Sequence, residues 1–276
     1  MLVELAISDS FGAGFEYAPQ NLHLNFPSKG YVKHPKYNIG DGRYTDDTQM
    51  AAGLAEHLIL GRPINRLAFA QSFLNTFKRD PREGYSKRVY AALQSATTGQ
   101  ELMNILAPAK SQGNGACMRA APIGFLKDES TVLHVAAEQA LATHDSVDGV
   151  ESAQAIAMAV YGLRHGVSRF DLMGYLADRW VRVQKKGADG MGSYTVWVAF
   201  IALKSGKTLT EVLRLAVSYG GDTDTVAAIA VALASQCPDI GQGVPKALLS
   251  GLENGKWGLS YLRALDRGLA NLGKLN

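Results

Sequence analysis

The sequence predicts an all-α fold, a compact orthogonal bundle of about a dozen helices. Apolar residues recur at helical spacing along most of the chain, sustained period-two alternation is scarce, and glycines stand where one amphipathic segment stops and the next begins.

Taken in chain order, the opening stretch MLVELAISDSFGAGFE is apolar but interrupted by Glu4 and Asp9. If it is helical, Asp9 and Glu16 lie seven residues apart and share a face about two turns apart. Residues 17 to 45 read as a loop. Helices are expected over 46–60, 64–78 and 86–98, and, after a loop at 108–114, over 115–126, 130–142, 149–165 and 169–184. Five more are expected over 194–204, 208–218, 225–236, 244–252 and 258–272. Gly61 before Arg62-Pro63, Gly99 before Gln100, Gly166 before Val167-Ser168 and Gly206 before Lys207-Thr208 read as stops followed by fresh starts.

With 276 residues, 47% hydrophobic and 19% charged, the chain has the composition of a globular protein rather than a disordered one. No Pro/Ser-rich or highly charged linker divides it, so one domain over 1–276 is the simpler reading, and a monomer is expected. Formal net charge is +3 without a dense Lys/Arg stripe, which argues against nucleic acid as a partner. Cys117 and Cys237 are the only cysteines, too few for a disulfide framework or a cysteine-based zinc site. The N-terminus has no basic leader and no apolar run reaches the roughly 18 residues of a membrane span, so a cytoplasmic location without membrane contact is expected.

Two stretches raise a chemical question. YGGDTDTVAAIAVALAS, residues 219–235, puts Asp222 and Asp224 at the mouth of a segment without a polar side chain from Val226 to Ala234. GDGRYTDDTQMAAGLAEHLIL, residues 40–60, repeats the plan: Thr45, Asp46, Asp47 and Thr48 precede an Ala/Leu-rich helix. Helix N-capping accounts for either copy alone. It does not explain why both carry a doubled acid flanked by threonines. A helix that is apolar all round is buried, and buried carboxylates must be protonated, paired or metal-bound. Carboxylates and hydroxyls are hard donors that suit Mg²⁺, Mn²⁺ or Ca²⁺ rather than zinc or copper. Four negative charges are too many for one divalent ion with open positions and match two, which points to a dinuclear site.

Other stretches carry weaker signals. SDSFGAGFE, residues 8–16, offers Asp9 as an acid supporting the metal site and Glu16 as one free to reach a ligand, beside the plainer reading of a cap and a solvated side chain. QGNGACMRAAPIG, residues 112–124, is a glycine-bracketed turn whose N–H groups, with Arg119 behind them, suit a phosphate, although such turns are more often tight connections. In THDSVDG, His144 and Asp145 read as a structural pair or a ligand contact. In the glycine-rich stretch GADGMGSYTVW, Tyr194 and Trp197 read as core aromatics or as a stacking surface for a base.

With YTDDTQM, GNGACMR, THD and GGDTDT in this order, the chain resembles the ADP-ribosylglycohydrolase family from Asp9 to its closing helices. The resemblance implies an all-helical fold with two Mg²⁺ ions, for which Mn²⁺ can substitute, in a central cleft. It implies Thr45, Asp46 and Asp47 as one ligand set and Asp222, Asp224 and Thr225 as the other, with Glu16 where relatives carry a mobile glutamate and Gly113, Asn114 and Gly115 on the loop nearing ADP-ribose. The activity implied is removal of ADP-ribose from a modified protein or small molecule by cleavage of the bond to an acceptor, arginine first and serine or another O-linked acceptor next, with Glu16 and Asp47 as catalytic residues.

The chain departs from the family pattern in places. Ser8 stands where relatives usually have glycine, Val231 and Ser235 replace small glycines after GGDTDT, and an acidic residue expected in the turn after the first metal helix matches either Asp80 or Glu83. A two-metal phosphohydrolase and a non-catalytic, crystallin-like relative are the rival readings. A terpenoid synthase is discounted because Met50 takes the last position of DDxxD.

Overall fold

The leading segment is helical and lies at the centre. In the computed structural model, which describes residues 1–178 and 191–272, α1 (Leu2–Gly12) buries every residue but Glu4. Its serines are satisfied within the helix: Ser8 and Ser10 donate to the carbonyls of Glu4 and Ala6 at 2.9 and 2.8 Å. Asp266 of α13 (Leu259–Leu272) accepts from the backbone N–H groups of Leu2 and Val3, so a distant carboxylate caps α1.

Against α1 packs α11 (Thr223–Ala234), whose residues are all buried. The two meet at Gly12, where a Cβ would lie 2.6 Å from both the Asp224 Cα and the Thr223 carbonyl oxygen. Thr223 Oγ1 donates to the Gly12 carbonyl at 2.8 Å and locks the crossing. Around this pair stand α2 (Asp46–Ile59), α13, α9 (Gly192–Ser205) and α10 (Leu209–Ser218). An outer layer holds α3 (Arg66–Arg79), α4 (Lys87–Ser95), α5 (Gly99–Leu106), α6 (Glu129–Leu141) and α7 (Val147–Arg164), with the shorter α8 (Leu172–Ala177) and α12 (Lys246–Gly251) completing thirteen α-helices among the described residues. Those residues contain two isolated β-bridges and no strand, and no helix among them is long and apolar enough to cross a membrane.

Several sequence expectations need correction. α1 ends at Gly12 and a 3-10 turn covers Ala13–Phe15, so Glu16 does not share an α-helical face with Asp9. The stretch expected as a helix over 115–126 is two 3-10 turns, Asn114–Ala116 and Ala121–Phe125. Pro122 has no N–H to give, and a Cβ at Gly124 would lie 2.5 Å from Val160 of α7, so this strip is pressed flat against its neighbour. The loop of 17–45 contains 3-10 turns at Pro19–Leu24 and Pro27–Lys29. Gly99 opens α5, a helix absent from those expected, and Thr98 caps it by accepting from Glu101 N–H. Gly61 and Gly166 do terminate helices, with φ of +60° and +87°. The helix expected over 169–184 is described only to Asp178; its remainder, and residues 187–190 of the glycine-rich loop, lie outside the described residues.

The α1–α11 crossing yields a stability prediction. Gly12→Ala forces the two helices apart and lowers the free energy of unfolding by about 1–3 kcal/mol in a urea titration. Gly174→Ala, in α8 where a Cβ meets open space, leaves it unchanged or slightly raised.

Candidate metal centre

The centre is built where α1, α2 and α11 converge. Thr45 stands at the N-cap of α2 and makes no capping bond with its own side chain. Asp9 of α1, fully buried, does that work instead. Its carboxylate accepts from the backbone N–H of Thr45 and Thr48 at about 3.0 Å and from their hydroxyls at 2.7 and 2.5 Å. With the N-terminus of α2 already capped from α1, Asp46 and Asp47 are not consumed by capping. Arg82 secures the approach to this turn: it donates to the Tyr44 carbonyl at 2.8 Å, pairs with Asp80 and Glu253, and lies over the Tyr44 ring.

Asp47 is 2% exposed, and its Oδ1 is buried without any hydrogen-bond partner. An orphaned buried carboxylate oxygen calls for a cation. Asp46 projects towards Gly84, where a Cβ would come within 2.1 Å of Asp46 Oδ1; φ there is +114°, so glycine is required twice over.

The second acid pair follows Gly220 and Gly221, both left-handed at φ +69° and +71°. Asp222 is the N-cap of α11 but makes no capping bond, and Asp224 Oδ1 accepts from the N–H of Thr225 at 3.0 Å. The Gly221 carbonyl accepts from Tyr17 N–H at 2.8 Å, which holds Tyr17 at φ +47°, a strained value for a non-glycine residue. That turn brings Glu16 to the second pair. One carboxylate oxygen from each of Glu16, Asp222 and Asp224 falls within 4.8 Å of the others, and so does one from each of Asp9, Asp47 and Asp224. Asp224 therefore belongs to two adjoining acidic groups.

Burial pushes Asp46, Asp47 and Asp224 well above the usual carboxylate range, and the acids raise one another further. Asp9 is raised by burial too, against the pull of its threonine hydrogen bonds. Among the described residues no Lys or Arg forms an ion pair with any of the five aspartates. The donor set is oxygen only and suits a hard divalent ion; of the aspartates in the two acidic turns, Asp47, Asp222 and Asp224 fall within these groups and Asp46 does not.

The acids border a cavity of about 390 Å³. Gly113, Asn114, Gly115, Arg119 and His144 line it as well. Asn114 donates its amide to Asp222 Oδ2 at 2.7 Å, so it also orients an acid. Arg119 is not an open group on a first helical turn: it is 3% exposed, donates to the side chain and carbonyl of Gln139 and to Thr143 Oγ1, and lies over the Phe73 ring. Burial pulls its guanidinium down to about 9. Thr143 Oγ1, which accepts from Arg119, also hydrogen-bonds His144 Nδ1 at 2.8 Å. Burial and the Arg119 charge lower His144 to about 3, which keeps its ring neutral, and the ring packs where a Cβ on Gly115 would be.

Tyr194 does not line this cavity. It borders a small separate pocket with Tyr219 and Asp222, and its ring lies 6.0 Å from that of Trp197. Neither Asp80, which pairs with Arg82 and Arg43, nor the exposed Glu83 lines the main cavity; Gly84, Tyr85, Ser86 and Lys87 of the same stretch do. His34 was missed from sequence, and Thr48 was noted only as a neighbour of the acids, without its bond to Asp9. Thr48 stood beside the acids it serves indirectly, while His34 sits in an irregular loop without periodicity to mark it.

A family model described as ADP-ribosylglycohydrolase matches residues 1–274. ADP-ribosylhydrolase ARH3 of Xenopus tropicalis is 28% identical over 150 residues, 51% of this chain and 43% of that protein, so the match spans less than half of that relative's length. ADP-ribosylarginine hydrolase Tri1 of Serratia proteamaculans (strain 568) is 26% identical over 252 residues, 82% of this chain and 67% of that one. A solved structure titled ADP-ribosylglycohydrolase-related protein complex superposes with a TM-score of 0.74 at 25% identity, covering 99% of this chain and 96% of that one.

The electrostatics predict an unusual pH dependence. Aspartates with raised folded values hold protons that the unfolded chain has released, so in EDTA their contribution is full below the ordinary carboxylate value and is lost as pH rises through the raised ones. The melting temperature of the EDTA-treated protein should therefore fall as pH rises above the ordinary carboxylate value of about 4. Saturating Mg²⁺ should reverse that fall in the wild type, adding about 2.7 kcal/mol at a hundredfold excess over Kd, and should not do so in Asp224→Asn.

Proposed function

Because the chain belongs to the ADP-ribosylglycohydrolase family, a family of hydrolases, we propose that it removes ADP-ribose from a modified target by Mg²⁺-dependent cleavage of the glycosidic bond to an acceptor side chain, with arginine the first acceptor. The observation that carries this reading is the pair of acidic groups that share Asp224, one of which includes Asp47 with its Oδ1 buried and unpartnered. Similarity to an ADP-ribosylarginine hydrolase over 82% of the chain supports the arginine linkage. An O-linked acceptor such as serine, or a small ADP-ribosyl compound, is the second reading.

In this proposal Thr45, Asp46 and Asp47 hold one Mg²⁺ and Asp222, Asp224 and Thr225 the other, with Mn²⁺ able to substitute. Two such ions, when bound, supply orientation of ribose hydroxyls and acidification of a water. The protein's own residues do the rest. Asp9 keeps the start of α2 in register, and Asn114 holds Asp222 in place through its amide. Gly113, Gly115 and His144 border the space for the ADP-ribosyl group; neutral His144 offers a hydrogen bond without a charge. Arg119, whose described partners are all neutral, supplies the positive field for its phosphates. Glu16, beside the aspartates and still partly exposed, takes the proton from the attacking water as the bond to the acceptor breaks. This differs from an ordinary two-carboxylate glycosidase because most carboxylates are committed to cations.

The test is release of intact ADP-ribose from matched peptides modified at arginine or serine, with Mg²⁺ and with EDTA. Metal-dependent release from the arginine peptide supports the reading, release from the serine peptide alone moves the acceptor, and inorganic phosphate from free nucleotides instead would favour a phosphohydrolase. Asp47→Ala and Asp224→Ala each abolish release while circular dichroism shows a folded protein. Glu16→Ala lowers turnover more than it lowers Mg²⁺ affinity in titration calorimetry.

A further inference from the structure

We propose that His34 is the positioning residue for Glu16, holding its carboxylate beside the second aspartate pair through a fixed imidazole tautomer. His34 belongs to none of the motifs that carry the acids, yet it is 6% exposed and its Nε2 lies 3.1 Å from Glu16 Oε2. The ring is fixed from its other side. Nδ1 accepts from the backbone N–H groups of both Lys36 and Tyr37, at 3.0 and 2.9 Å. A nitrogen that accepts two such bonds uses its lone pair, so the ring proton resides on Nε2 and points at Glu16. The turn over 34–37 thus pre-sets a donor, and the ring of Tyr37, 5.0 Å away, covers the imidazole.

Glu16 needs such a hold because its backbone offers little. It follows a 3-10 turn, precedes the strained Tyr17 and lies outside any α-helix. His34 engages Oε2 and leaves Oε1 as the atom that takes a proton, so the same contact that aims the carboxylate keeps one oxygen available. This role rests on the proposed function of Glu16.

Asn and Gln separate the two ends of the ring. His34→Asn retains an acceptor for the Lys36 and Tyr37 N–H groups and removes the donor to Glu16; His34→Gln places an amide donor near the Nε2 position. The expected result is a drop of about tenfold in kcat for His34→Asn, the size of a lost hydrogen bond to a charged group, with KM unchanged. His34→Gln recovers part of it, and His34→Asn in the Glu16→Ala background has no further effect. Long-range ¹H–¹⁵N spectra of the full chain should show His34, identified by its loss in His34→Asn, as the Nε2–H tautomer whose signal moves in Glu16→Ala. An Nδ1–H tautomer, wild-type kcat in His34→Asn, or an equal loss with and without Glu16 would overturn the proposal. If the wild type releases no ADP-ribose, the functional reading fails, while the tautomer and its response to Glu16→Ala still decide the His34 contact.

Discussion

Burying several carboxylates at one junction without an ion pair to a cationic side chain among the described residues is the constraint on which the rest of the structure depends. Mutual repulsion and lost hydration would scatter these groups if their backbones were free. The chain prevents this with rigid elements from three parts of the sequence. α1 crosses α11 closely enough that only glycine fits at position 12, and Asp9 ties the first turn of α2 to α1 through two threonines. A fully buried α11 leaves Asp224 only 4% exposed, at the wall of the cavity. The arrangement stores an electrostatic cost in the metal-free protein that a divalent cation removes, so cation binding and stability are coupled.

The second feature is division of labour among polar groups that look alike in sequence. Asp9 caps and braces, Asp47 is left with a bare oxygen, Asp222 is steered by Asn114, and Glu16 stays partly open against His34. Arg119 and His144 are joined by Thr143 into one buried unit in which the imidazole stays neutral beside a guanidinium. Each role follows from what the backbone leaves unsatisfied nearby rather than from residue type.

Helix content and the two acidic turns were legible in the sequence because both are local signals: period 3.6 with glycine stops, and doubled acids before apolar helices. What escaped was set by tertiary contact. α1 could not be assigned from its own pattern because it is buried on every side, which erases amphipathicity. The 115–126 stretch has helix-forming residues but is flattened against α7 at Gly124, and α5 escaped because it is only eight residues long and begins at Gly99 itself. At the site, the motifs held the acids, whereas Tyr194 turned out to face a neighbouring pocket and His34 was reachable only through the folding of its loop onto Glu16.

The central claim is the proposal that the junction of α1, α2 and α11 would hold two divalent cations, with Asp224 common to the two acidic groups. Electron paramagnetic resonance of the Mn²⁺-loaded protein, with metal content measured on the same sample, tests it most directly. The account predicts two Mn²⁺ per chain with a spin-coupled spectrum, as expected for ions roughly 3.5–4 Å apart, and loss of the coupling in Asp224→Asn. A single uncoupled Mn²⁺, or binding unaffected by Asp224→Asn, would contradict it.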